Sequence, residues 1–183
     1  MILEKDITMH KVWQILEQVT DPEIPVLSIL DLGIVRDVLM SSSLPITVGV
    51  EKELTVEIVI TPTYSGCPAM DVIAMNIRIA LLQNGFKNIK ITQQLSPAWT
   101  TDWMTKEGKN KLNAYGIAPP QTRSDSTPAG RMSRMLFTEE VNIKCPQCHS
   151  KNTKLLSQFG STACKALYQC NDCKEPFDYF KCH

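Results

Sequence analysis

The chain has 183 residues, 43% of them hydrophobic, which is enough for one domain with a real core or for two smaller ones. Nineteen lysines and arginines balance nineteen aspartates and glutamates, so no global field favours nucleic acid or an anionic membrane as partner. The opening MILEKDITMHKVW is charged throughout and has no long apolar run, so neither a signal peptide nor a membrane anchor is expected there.

Met9, Val12, Trp13, Leu16 and Val19 keep helical spacing, and the predicted helix stops before Asp21-Pro22. DPEIP, residues 21–25, is then a proline-stiffened turn. Asp21 and Glu23 either cap that turn or present two acidic groups to another loop. VRDVLM reads as a strand before the SSSLPITVG loop, and LTVEIVIT as a second, with Leu54, Val56, Ile58 and Ile60 on one face. After TPTYSGC comes Pro68, favoured at a first helical position. Met70, Ile73, Ile77 and Leu81 mark the face of the next helix, and Gly85 its stop. IKITQQL is a third strand, and DWMTKEGKNKLNAYG a last helix ending near Gly116. The expected fold over 1–117 is α/β (α+β), a small sheet covered on one face by helices.

APPQTRSDSTPAGRMSR has linker composition, so 118–136 is expected to join this domain to a second at 137–183. Six of the seven cysteines lie there. In a cytoplasmic, reducing setting such thiols are metal ligands or reactive groups before they are disulfides. CPQCHS offers Cys145 and Cys148, and CNDCKE offers Cys170 and Cys173. Two such knuckles complete a tetrahedral site, and TKLLSQF, ALYQC and PFDYF supply the strands of a zinc-ribbon-like β module. A structural zinc also explains how so short a segment folds. Surplus thiols keep an iron–sulfur cluster open as an alternative, although no cluster-binding spacing occurs. Cys164 is a further possible ligand, His149 a solvated neighbour of the knuckle, and Cys182 and His183 end the sequence.

Cys67 stands alone, between Gly66 and Pro68 at a strand–helix turn. A helix start favours a thiolate, suited to ligating soft metal or to nucleophilic attack; a packed thiol is the plain alternative. No recognised motif sets a base beside it, and His10 falls on the first helix.

These stretches carry a resemblance. DPEIPVLSILDLGIVRDV, TPTYSGCPA and SPAWTTDWM resemble the SufT-type iron–sulfur assembly factors, compact α/β domains with an Asp-Pro-Glu turn and a Thr-to-Cys-Pro loop. Asp21, Pro22 and Glu23 fall on the first motif; Thr61, Cys67 and Pro68 fall on the second. With FGSTACKALYQC and EPFDYFKCH added, nearly the whole chain resembles the D subunits of bacterial phenylacetyl-CoA epoxidase systems. The MSSSLPITVGVEKE loop and the linker match poorly.

The resemblance implies an accessory, non-catalytic role in aerobic phenylacetate degradation: helping to mature or assemble the epoxidase by aiding iron or cluster insertion. It implies epoxidase subunits as partners, the iron–sulfur flavin reductase subunit first among them, with a homodimer allowed and neither nucleic acid nor membrane. Iron or a cluster would pass transiently through Cys67. The chain itself lacks a Glu-x-x-His pair, a Rossmann glycine fingerprint and a C-x₄-C-x₂-C run, so it should not perform the oxidation. Two other functions compete. A thiol-dependent CoA-ester hydrolase needs a base against Cys67. A nucleic-acid-binding ribbon has only six lysines against three acids over 141–183 to offer as a footprint.

Overall fold

The computed structural model describes residues 2–42, 54–120 and 143–181. They fall into two compact units, Met1–Trp99 and Thr100–His183. This division lies earlier than the composition-based boundary at 117, and most of the expected linker lies outside the described residues.

The first unit runs α1 (Ile2–Glu17), β1 (Val35–Ser42), β2 (Leu54–Ile60), α2 (Ala69–Gln83) and β3 (Asn88–Gln93). The sheet order is β1-β2-β3, with β1 antiparallel to β2 and β2 parallel to β3. The parallel pair follows from the connection: α2 carries the chain back so that β3 can run beside β2 in the same sense. Alternation in β2 buries Val56, Ile58 and Ile60, as its period-2 pattern predicts, while Leu54 is half-buried. The α2 face Met70, Ile73, Ile77 and Leu81 is buried, and so are Val12, Ile15 and Leu16 of α1. Trp13 is half-buried, and Val19 is buried just beyond the end of α1.

Between α1 and β1 the chain folds through closely bonded turns. Asp21 Oδ1 accepts the N–H groups of Glu23 and Ile24, both at 2.8 Å, so the Asp-Pro-Glu segment is a side-chain-capped turn. Ser28 and Asp31 cap one another: Ser28 N–H donates to Asp31 Oδ2 (3.1 Å) and Asp31 N–H to Ser28 Oγ (3.0 Å). Trp99 closes the unit by donating its indole N–H to the Leu32 carbonyl at 2.9 Å.

The second unit opens with a short 3₁₀ turn, Thr101–Trp103, then α3 (Lys106–Tyr115). The expected single helix from Asp102 is thus two pieces. Met104 between them is extended, and Thr105 Oγ1 captures the Gly108 N–H at 2.8 Å, starting α3 afresh. Gly116, at φ 95°, ends α3 in the left-handed region. The strands β4 (Thr153–Ser157), β5 (Lys165–Cys170) and β6 (Pro176–Phe180) form an antiparallel sheet in that order. Ala118 bridges to this sheet beside Tyr179, with its N–H on the Asp178 carbonyl (2.8 Å) and its carbonyl receiving the Phe180 N–H (3.0 Å). That pairing ties the residues after α3 to the ribbon and accounts for α3 belonging to the second unit. The ribbon core is small: a cluster of Ala118, Ile143, Cys145, Cys170 and Phe177, flanked by Tyr168, Cys173 and Tyr179, with Cys164, Ala166 and Phe180 also buried.

Candidate functional site

Two sets of thiols invite chemistry. In the ribbon, Cys145, Cys148, Cys170 and Cys173 bring their sulfurs within 4.8 Å of one another. Each pair comes from one knuckle, and the two knuckles repeat the same construction. His149 N–H donates to the Cys145 carbonyl (2.9 Å), and Lys174 N–H to the Cys170 carbonyl (3.0 Å). The Cys145 N–H then donates to the Ser150 carbonyl (2.9 Å), as the Cys170 N–H does to that of Glu175 (3.0 Å). To close these rings, His149 and Lys174 adopt left-handed conformations, φ 61° and 68°, uncommon for residues with a side chain.

A hydrogen-bonded clamp joins the knuckles. Asp172, inside the second, accepts from Ser150 Oγ and from Asn152 Nδ2 (2.8 Å), both following the first. Asn171 Nδ2 reaches Asn152 Oδ1 (2.9 Å), and Asn171 N–H reaches the Asn152 carbonyl (2.8 Å). The Ser150 hydroxyl and the Asn152 amide hold the Asp172 carboxyl below its ordinary range. Sequence reasoning did not single out Ser150, Asn152, Asn171 or Asp172, although each lies within four residues of a knuckle cysteine. Small polar residues there are the available signal.

The donor set fits zinc. Cys145 and Cys173 sulfurs lie 3.7 Å apart, and Cys148 and Cys170 sulfurs 3.5 Å. Four sulfurs at about 2.3 Å from one ion need edges of roughly 3.8 Å. A mutual limit of 4.8 Å leaves space for a single ion rather than a cluster carrying its own sulfides. The backbone also supplies N–H groups to the sulfurs. Those of Cys173 and Asp172, with the neighbouring thiols, draw Cys170 down to about 7. At Cys173 the Glu175 N–H acts in the same downward direction, but burial and the other three sulfurs prevail and push it up to about 12. Cys164 is not part of this group; it is buried, with its sulfur 3.0 Å from Thr162 Oγ1. His149 is exposed, as expected, and Cys182 and His183 lie outside the described residues.

Cys67 is built differently. It is half-buried, and its N–H donates to the Tyr64 carbonyl (3.3 Å) in a turn where Gly66 takes φ 82°. Pro68 has helical angles, φ −68° and ψ −21°, just before Ala69, and no side chain caps the start of α2. Among the described residues the Cys67 sulfur has no hydrogen-bonding or ionic partner. Thr61, at the other end of the same loop, is 1% exposed, and its hydroxyl is buried with no hydrogen-bond partner among the described residues. Its backbone is firmly held: Thr61 N–H donates to Ile34 (2.8 Å), Ile34 N–H to Ile29 (3.3 Å), and Ile29 N–H to Val19 (2.9 Å). Backbone bonds therefore connect the Thr61 loop to the segment that enters the Asp21 turn. The Asp21 carboxylate is itself spent on capping that turn.

Each unit matches a family of its own. The family described as iron–sulfur cluster assembly protein matches residues 10–91, and that described as PaaD zinc beta ribbon domain matches residues 129–181. An Escherichia coli (strain K12) protein described as the putative D subunit of 1,2-phenylacetyl-CoA epoxidase is 47% identical over 174 residues, spanning 95% of this chain and 93% of that protein. Among solved structures, a domain of unknown function (DUF59) from Bacillus anthracis is 27% identical, with TM-score 0.47, over 56% of this chain and 89% of its own. A Mycobacterium tuberculosis protein described as associated with [Fe-S] complex assembly and repair is 29% identical, with TM-score 0.35, over 57% of this chain and 82% of its own.

Proposed function

The chain belongs to the family of 1,2-phenylacetyl-CoA epoxidase D subunits, and from that premise we propose that it is a cytoplasmic, non-catalytic maturation factor for the epoxidase. It aids insertion of iron or an iron–sulfur cluster into a partner subunit, the iron–sulfur flavin reductase subunit being the expected client. The observation that carries this is that a 47% identical match runs through both modules, so an assembly-type unit and a cysteine ribbon serve one epoxidase system.

In this reading the two thiol sites divide the work. Cys145, Cys148, Cys170 and Cys173 hold a structural zinc, which when bound supplies the cross-link the small ribbon core needs. Cys67 receives iron or cluster as cargo. A sulfur with no fixed partner among the described residues is free to take and release a soft ion. Thr61 offers a buried hydroxyl to the same loop, while Asp21, Glu23 and Pro68 keep the loops in shape. A hydrolase would need a base set against Cys67, and among the described residues no base is hydrogen-bonded to the thiol. No described helix is long and apolar enough to cross a membrane.

The test compares cells carrying the wild-type chain with cells carrying Cys67→Ser. The variant should keep its fold and its zinc, yet lower both phenylacetate turnover and the iron and acid-labile sulfide of the purified reductase. Wild-type values for both readouts would refute the reading.

A further inference from the structure

Helix α2 is apolar on two sides. Opposite its buried face, Val72, Met75, Ile79 and Leu82 remain 46%, 63%, 44% and 50% exposed. Their spacing of three, four and three residues is that of a and d positions over two heptads, the seam on which a second helix lies. A helix apolar all round normally lies buried, yet this side of α2 stays open. Four such side chains, about half exposed, present on the order of 400 Å² of apolar surface. That is roughly half of the ~800 Å² each member of a stable pair buries, so the area suits transient docking.

A second copy fits this seam poorly. A twofold axis that pairs all of it sets Val72 against Leu82 and Met75 against Ile79, and so crosses α2 beside Ile77. Arg78, on the border of the seam, then meets its own counterpart, with like charges opposed. Asp71, the other charge on that border, meets the Gln83 end of the copy and finds no base. Arg78 is exposed and, among the described residues, donates only to the Ile89 carbonyl at 3.2 Å, so its charge stays available to an incoming acid. A different helix can satisfy both charges of that border, with a carboxylate opposite Arg78 and a base opposite Asp71.

We propose that the outer face of α2, formed by Val72, Met75, Ile79 and Leu82, docks an amphipathic helix of the client subunit. That helix carries an apolar seam at heptad spacing and an acidic residue set against Arg78. The inference rests on the delivery reading above and extends it: Cys67 lies two residues before the start of α2, so a helix held along α2 brings its own subunit towards the thiol.

The experiment titrates the purified full chain with the purified reductase subunit by calorimetry, then with the oxygenase subunits, and sediments the chain alone. The chain should sediment as a monomer and bind one of the subunits. Met75→Glu with Ile79→Glu should weaken that binding by at least about tenfold, the scale of losing two central apolar anchors. Its melting temperature and zinc content should hold, because both side chains are exposed. Arg78→Glu should weaken binding less, and more at low salt than at high salt. Three outcomes would overturn the proposal: a wild-type dimer that the double variant dissociates, which assigns the face to a second copy; a double variant that binds as tightly as wild type; or a wild-type chain that binds no subunit. The delivery reading fails separately. A Cys67→Ser chain that binds normally but leaves reductase iron unchanged sinks that reading, while seam-dependent binding still supports the docking face.

Discussion

In the ribbon, four sulfurs are gathered within 4.8 Å, and the polar groups of both knuckles are committed to keeping them there. In the first unit, Cys67 stands without a sulfur partner before a helix no side chain caps, and Thr61 buries a hydroxyl that bonds to nothing among the described residues. Satisfied polar groups fix one geometry, whereas unsatisfied ones keep capacity for something that arrives and leaves. On the proposed reading the contrast is between a site that stabilises and a site that works, and it can be broken from either side.

The largest effect should come from opening the ribbon. Cys170→Ser, or removal of zinc by a strong chelator, leaves only a small apolar core, with Phe177 and Phe180 its largest side chains, to hold the sheet. The cooperative unfolding of the ribbon should disappear, while the unit Met1–Trp99 keeps its own melting transition, read by calorimetry beside metal analysis. Iron with matching sulfide in the purified protein would instead overturn the zinc assignment.

Next comes the core of the first unit. Ile77 is fully buried on the inner face of α2. Ile77→Ala should cost about 2–5 kcal/mol in that unit, through lost transfer energy and the cavity left behind. Zinc content should not change, and a drop in zinc would mean that the two units do not unfold separately.

These two predictions concern features that the sequence already displays. The knuckle cysteines are legible because their spacing constrains where sulfurs can meet, and the inner face of α2 because its period is helical. What stays hidden depends on contacts between distant segments. Periodicity shows that Met75 and Ile79 are apolar but not that they are left uncovered. TDWMTKEG reads as continuous helix until Thr105 is seen to cap Gly108. Asp21 admits two roles until its carboxylate is found on the Glu23 and Ile24 N–H groups. The parallel pairing of β2 with β3, and the attachment of Ala118 to β6, lie equally beyond local pattern.

The knuckle clamp gives a smaller effect. Asp172 takes one bond from Ser150 and one from Asn152, with the Lys174 charge nearby as a lesser influence. The two bonds tie the knuckles together. Asp172→Ala should lower the melting temperature of the ribbon, by less than opening the metal site does, because the clamp is exposed to water. Zinc should be lost to a chromogenic chelator faster than from wild type. An unchanged release rate would show that the sulfurs hold their arrangement without the clamp.

The smallest effect, and the one of opposite sign, belongs to Thr61. A hydroxyl buried without a partner has lost its water and gained nothing, at a cost of about 1–3 kcal/mol. Valine keeps the branched shape and the β-compatible χ1 preference at the end of β2 while removing the oxygen. The backbone bond from Thr61 N–H to Ile34 survives the change. Thr61→Val should therefore stabilise the first unit by about 1 kcal/mol, seen as a higher melting temperature with the same zinc content. If the hydroxyl serves the loop that ends at Cys67, the same variant should mature the reductase less well, so stability rises as function falls. A variant that is destabilised would show that the hydroxyl is satisfied in solution. A variant that is more stable and fully active would make Thr61 a packing residue, leaving Cys67 to carry the loop's function alone.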